Sequence, residues 1–155
     1  MRIVLLSVGL LMAGCSAALI PGSKVPDTPE NHAVFDVVEA YRLAMENRDS
    51  ERLKQLVSMR YYENASSTNK DEDDYGFEAL EGKVLPELQD NVKKIQYRIV
   101  VNSIVVSGNH AQAEYEYFWK FLYTEGGRES WKERNDFNRL DFEREGGVWK
   151  IAAGL

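Results

Sequence analysis

The chain of 155 residues contains one cysteine and two histidines. A single thiol closes no internal disulfide, so the fold must rest on packing. One thiol with two imidazoles is thin material for a zinc centre, and no metal or other cofactor is expected. No glycine-rich phosphate loop, metal-spaced cluster or Gly-x-Ser-x-Gly elbow occurs, so the usual signatures of nucleotide, metal and serine-hydrolase chemistry are missing. Positive charge is also in deficit. Nineteen Lys and Arg stand against 25 Asp and Glu, a formal net charge of −6. That balance repels nucleic acid and anionic headgroups, so no nucleic-acid partner is expected, and it favours solubility. No internal repeat is present.

Apolar material is not lacking. Hydrophobic residues make up 44% and aromatics 11%, enough to build a core rather than a disordered chain. The length suits one compact domain.

The lone cysteine sits in a telling place. Met1-Arg2 is a short positive start, Ile3 to Met12 (IVLLSVGLLM) is an apolar run of signal-peptide length, and Ala13-Gly14 lead into Cys15. The stretch Leu11-Met12-Ala13-Gly14-Cys15 resembles the lipobox of bacterial lipoproteins, with Met12 where that pattern carries Leu. The resemblance implies a signal peptide over 1–14, cleavage before Cys15 and a lipid on its thiol. At about 0.8 kcal/mol per buried CH₂, several acyl chains give lasting membrane attachment. In the enterobacterial lipoproteins that this stretch resembles, Asp after the cysteine retains the protein in the inner membrane, so by that resemblance Ser16 implies the outer membrane, with the domain facing the periplasm. An uncleaved membrane anchor and an ordinary signal peptide are the alternatives, since the chain is uncharged from Ile3 to Ile20.

Residues 15–28 contain Pro21, Gly22, Ser23 and Pro26 without periodicity and read as a lipidated cysteine with a flexible tether. The domain is expected over 29–155. Thr28-Pro29-Glu30 is a helix start, and Val34, Val37, Val38, Tyr41, Ala44 and Met45 repeat at helical spacing up to about Asn47. Asp49 caps a second short helix with Leu53, Leu56 and Val57 on its apolar side, and Ser58 to Glu63 reads as a strand. Ser66 to Asp74 is a polar loop whose acids lack the spacing and glycine of a calcium loop. Phe77, Leu80, Val84, Leu88 and Val92 predict more helix, kinked or split at Pro86.

The remainder alternates as strands. Ile95 to Val101 and Ile104 to Val106 alternate in opposite phases, which predicts a bulge near Asn102-Ser103. Gly108-Asn109 is a turn. Ala113, Tyr115, Tyr117, Trp119, Phe121 and Tyr123 share one face of a long strand. Gly146-Gly147 joins the last two strands as a two-residue hairpin. Helices followed by an antiparallel meander predict an α+β fold, with helices packed on the concave face of a bent antiparallel sheet.

Three stretches carry a family likeness: Ala40–Ser58 (AYRLAMENRDSERLKQLVS), Ala113–Tyr123 (AEYEYFWKFLY) and Gly146–Leu155 (GGVWKIAAGL). Together they resemble the nuclear transport factor two-like superfamily, the cystatin-like cone shared with ketosteroid isomerases and SnoaL-like proteins. The resemblance covers roughly 31–155. It implies a cone with an interior pocket and leaves the activity open, because the superfamily hosts enzymes and binding modules alike.

Register identifies candidate pocket residues. With Gly146-Gly147 as the loop, Glu145 should pair with Val148, Phe142 with Ile151 and Leu140 with Ala153. Asn138, Asp136 and Arg134 then share the apolar face, beside Tyr117, Trp119 and Phe121, and Tyr41 reaches it from the first helix. Asp136 reads either as a general acid or base tuned by apolar surroundings or as one half of an Arg134–Asp136 ion pair at the cone mouth. His32 and His110 read as surface residues. The leading expectation is a lipid-anchored envelope protein that binds a small apolar ligand or a protein partner without catalysis, as a monomer or homodimer. The alternative is a proton-transfer or hydration enzyme, of isomerase or dehydratase type, that uses Asp136 with Tyr41 or Asn138 on a hydrophobic substrate.

Overall fold

The computed structural model describes residues 18–63 and 74–155. The lipobox with Cys15, and the polar loop up to residue 73, lie outside the described residues. Thr28 caps helix α1 (Pro29–Asn47) by accepting the Asn31 N–H on Oγ1 at 3.2 Å. Val34, Val38, Tyr41 and Ala44 of α1 face the core. Asp49 then accepts the Arg52 N–H at 2.9 Å and starts α2 (Ser50–Leu56), which buries Leu53 and Leu56.

The expected strand from Ser58 shrinks to β1 (Tyr62–Glu63), paired with β2 (Tyr75–Gly76). Ser58 is instead tied to the last strand, its N–H donating to the Ile151 carbonyl at 2.8 Å. Helix continues through α3 (Phe77–Ala79), a π-helical turn (Leu80–Val84) and α4 (Leu85–Asn91). Pro86 neither splits nor ends it. Proline lacks an N–H and crowds the carbonyl four residues back, and the wider π turn just upstream lets the helix carry it.

Four strands follow in sequence order: β3 (Val92–Ser107), β4 (His110–Glu125), β5 (Arg128–Glu145) and β6 (Val148–Ala153). All neighbours are antiparallel. The bulge in β3 falls between Val101 and Ser103, as the phase change predicts. Gly146 and Gly147 both take positive φ, 56° and 87°, the mirror-image turn that a two-residue hairpin needs. Glu145 pairs with Val148 and Phe142 with Ile151, as expected. Beyond them the register shifts, so that Asp141, not Leu140, faces Ala153. One extra β6 residue between Ile151 and Ala153 makes that bulge. Bulges bend a sheet, and the helices pack into the resulting concavity: α1 lies against β3, and the core gathers Val38, Val101, Tyr115, Leu140, Phe142 and Ile151.

The tether expected over 15–28 is corrected where it is described. Residues 18–28 belong to the domain. Leu19 bridges to Pro26, Ile20 and Val25 are almost fully buried, and the Lys24 N–H donates to the Val101 carbonyl at 2.9 Å. That carbonyl lies at the β3 bulge, where the strand ladder is interrupted, and the N-terminal segment satisfies it.

A polar clamp closes the junction between α2 and the β5–β6 hairpin. The buried Ser58 hydroxyl lies against the Glu143 and Glu145 carboxylates, 2.7 Å from the latter, and accepts the Arg60 N–H at 2.9 Å. The Arg60 guanidinium bonds Glu143, with Nε at 3.1 Å. These Arg60 bonds, helped by Ser58 and opposed by burial, hold the Glu143 carboxyl below its ordinary value of 4.5. A depressed carboxyl pKa stabilises the fold above the unfolded value and stops doing so as pH falls through the folded value. Urea unfolding followed from neutral pH down through pH 4.5 should therefore show an acid-side loss of stability that Glu143→Gln flattens. Identical acid limbs in the two proteins would show that the clamp is not coupled to folding.

Candidate functional site

Burial and register together open a cavity of about 280 Å³ at the end of the cone where α1 finishes. Tyr41 and Met45 of α1 and Leu53 of α2 form one wall. Leu80, Val84, Leu85 and Leu88 of the helical run form the next, and Val92, Phe121 and Tyr123 of the sheet the third. Tyr75 and Leu155 close the side. The helical wall is the apolar stripe seen in the sequence at Leu80, Val84, Leu88 and Val92. Those residues have the periodicity of core, and sequence alone does not distinguish core from cavity wall.

One lining residue, Tyr41, is hydrogen-bonded to a second tyrosine outside the lining. The Tyr41 and Tyr97 hydroxyls are 3.4 Å apart, with their rings perpendicular and 5.8 Å between centroids. Burial pushes the Tyr41 hydroxyl up to about 12, its bond to Tyr97 partly opposing the rise. Burial also pushes Tyr97 and Tyr115 well above the ordinary phenol range. All three therefore stay neutral at physiological pH and act as hydrogen-bonding groups rather than bases. Trp119 stacks on Phe121 at 4.5 Å and 19°, so the lining of the cavity continues into a second aromatic layer.

The expected pocket residues divide into two groups. Cross-strand pairing sets Tyr117 opposite Asp136, Trp119 opposite Arg134 and Tyr115 opposite Asn138, the neighbourhood that register reasoning predicts. Of the six expected residues, only Tyr41 lines the cavity. Tyr117 and Trp119 are partly buried against the core. Arg134, Asp136 and Asn138 lie beyond it, where β5 runs past the end of β6 and has no described strand on its outer side.

There Asp136 does edge work. Its Oδ2 takes the Arg134 guanidinium, with Nε at 3.0 Å, and its Oδ1 accepts the Phe137 N–H at 2.9 Å. Asn138 repeats the pattern, accepting the Arg139 N–H at 2.8 Å and donating to the Gly154 carbonyl at 3.1 Å. The Phe137 N–H first, then Arg134, holds the Asp136 carboxyl below its ordinary range. It is exposed and ionised, the opposite of a carboxyl raised by apolar surroundings. Such side chains blunt an open sheet edge. Asp136→Asn, which keeps an oxygen for Phe137, should leave both the melting temperature and any retained ligand near wild type in thermal melts and native mass spectrometry. Loss of a measured turnover in that variant would restore the acid–base reading.

Sequence reasoning missed Glu87, the one charged side chain among the described residues that line the cavity. Its position, one residue past Pro86 on the polar side of an amphipathic run, gave no signal of a cavity rim. Among the described residues no cluster of three or more His, Cys, Asp and Glu is arranged to hold a metal, and no helix is long and apolar enough to cross a membrane. His32 pairs with Asp27 at 2.8 Å in a half-exposed contact, and His110 is exposed at the start of β4.

No family model matches the sequence, and no curated protein matches it. Solved structures do. A conserved protein from Planctomyces limnophilus superposes with a TM-score of 0.67 at 17% identity, over 81% of this chain and 92% of that one. A nuclear transport factor two-like superfamily protein from Salmonella enterica serovar Typhimurium gives 0.65 at 13% identity, over 79% and 86%. A hexachlorocyclohexane dehydrochlorinase from Novosphingobium barchaimii gives 0.60 at 14% identity, over 81% and 83%. The class defined by helix order, sheet order and interior cavity is therefore the α+β cone of nuclear transport factor two-like proteins. At these identities the likeness is one of fold.

Proposed function

We propose that this protein is a lipid-anchored protein of the bacterial envelope whose cone holds a small apolar ligand without transforming it. The observation that carries the ligand is the cavity itself: about 280 Å³, walled by aliphatic and aromatic side chains, three of them tyrosines. That is the composition of a binding pocket, with a volume just below the roughly 300–1,000 Å³ range of drug-sized ligand sites. The absence of catalysis rests on Asp136, which stays ionised on an exposed sheet edge.

The anchor rests on the lipobox at Leu11–Cys15. Ala18, three residues after Cys15, is already tied into the domain, its carbonyl accepting the Asp27 N–H at 2.7 Å, so a lipid on Cys15 would hold the domain close to the bilayer. The cavity is lined by the C-terminal half of α1, and residues 18–28 lead into its N-terminus. The helix has 19 residues, so about 28 Å at 1.5 Å per residue separates its two ends.

Native mass spectrometry of the chain from Ser16, purified without detergent and compared with its denatured mass, tests the ligand. Extra mass that vanishes on denaturation is the expected result. A bare mass, with no uptake from a panel of apolar small molecules, would overturn this reading in favour of a protein-binding role. For the anchor, Cys15→Ala should move the protein from the membrane to the soluble fraction, and its retention with the membrane would exclude the lipid.

A further inference from the structure

The cavity has an electrically asymmetric mouth. Among the described lining residues Glu87 is the one charged side chain, it is exposed at the rim, and no Lys, Arg or His lines the wall. Its Oε1 lies 3.5 Å from the Tyr123 hydroxyl, which also faces the cavity. A cation stands beside the mouth without lining it: the Lys132 ammonium sits over the Tyr123 ring, 4.9 Å from its centroid. Partial burial, then the negative charges of Glu87 and Glu125, make Tyr123 harder to ionise, so its hydroxyl remains a neutral donor.

An amphiphile entering such a cavity goes in apolar end first, because stripping water from a charged head is far more costly than leaving it at the mouth. Its head then comes to rest beside Glu87 and Tyr123. A charge about 4 Å from a carboxylate, screened by water, changes binding about fivefold, so exchanging a cationic head for an anionic one swings it by more than tenfold. The volume limits the body of the ligand as well. About 280 Å³ admits a short chain or a compact ring system and not a whole diacyl lipid.

Resting on the ligand-binding reading above, we propose that the occupant is a compact apolar molecule with a cationic or neutral head, and that Glu87 is the residue that excludes carboxylates. The test is isothermal titration calorimetry of the full chain with decylamine, decanol and decanoate at neutral pH, below their micellar concentrations. The three share one apolar body and differ in head charge.

Decylamine should bind at least tenfold more tightly than decanoate, with decanol between them. Glu87→Gln should bring amine and carboxylate to within about threefold. The variant side chain is solvent-exposed, and a thermal melt matching wild type confirms that it folds. Equal affinities in the wild type, tighter decanoate, or a gap unchanged in Glu87→Gln would each overturn the assignment to Glu87 while leaving the cavity a binding site. Failure of all three probes to bind would overturn the ligand-binding reading itself.

Discussion

Gly154→Ala should destabilise the protein by about 3 kcal/mol or more, roughly 6–12 °C in melting temperature for a domain of this size. Gly154 has φ +98°, where L side chains are strained. A Cβ built there lies 2.0 Å from the Arg139 carbonyl oxygen and 3.0 Å from its carbon, so backbone would have to move. Movement is opposed from both sides. The Gly154 N–H donates to Glu63 at 2.7 Å, and its carbonyl accepts from Asn138 at 3.1 Å. Gly147 is the control. Its φ of +87° carries the conformational strain, and a Cβ there meets nothing within 4 Å. Gly147→Ala should therefore cost about 1–2 kcal/mol, the strain alone. Urea unfolding of both variants separates steric clash from conformational strain. Equal losses would mean that the segment at Gly154 swings clear of β5 without breaking its bonds.

The second large effect concerns the residues before α1. A chain that starts at Thr28 should be less stable than one that starts at Ser16 by about 3–5 kcal/mol, the transfer energy of two buried aliphatic side chains. Ile20 is 2% exposed and Val25 is fully buried, each in the common core with Val34 and Val38. The shorter chain also leaves the Val101 carbonyl without the Lys24 N–H at the β3 bulge. A flexible tether would contribute nothing to folding, so equal urea midpoints for the two chains would restore that reading and remove residues 18–28 from the domain. The prediction bears on preparation too, since a soluble form cut at Thr28 would lack part of the core beside α1.

Both effects are set by contacts between residues far apart in the chain, and the same division runs through the whole molecule. Features that depend on neighbours in sequence were legible. Thr28 and Asp49 cap the helices they precede, because a side-chain oxygen meets an N–H three residues on. The apolar period of α1, the bulge after Val101 and the hairpin at Gly146-Gly147 follow from local spacing and from the positive φ that glycine tolerates. The neighbourhood of Arg134, Asp136 and Asn138 beside Tyr117 and Trp119 was readable too, since alternation puts those side chains on one face of paired strands.

Register names a side chain's face and not what covers that face. Asp136 and Tyr117 share a face, yet the helices cover the sheet over Tyr123 and Phe121 and leave Asp136 on a bare edge. The bulge between Ile151 and Ala153 moves Leu140 off its expected partner, and nothing in the spacing of those residues announces it. Residues 18–28 carry no periodicity because they are held by the buried Ile20 and Val25, by backbone bonds of an irregular turn and by the bond from Lys24 to Val101, rather than by a regular element.

The sequence by itself determined the α+β order of elements, the caps, the turns, the strand register near the hairpins and the apolar stripes that face inward, because each depends on backbone geometry over a few residues. Only the tertiary structure decided that the stripe at Leu80, Val84 and Leu88 walls a cavity, that Glu87 stands at its mouth, and that Asp136 guards an edge outside it. Those outcomes depend on where helices end over a bent sheet, and that is set by the packing of distant surfaces.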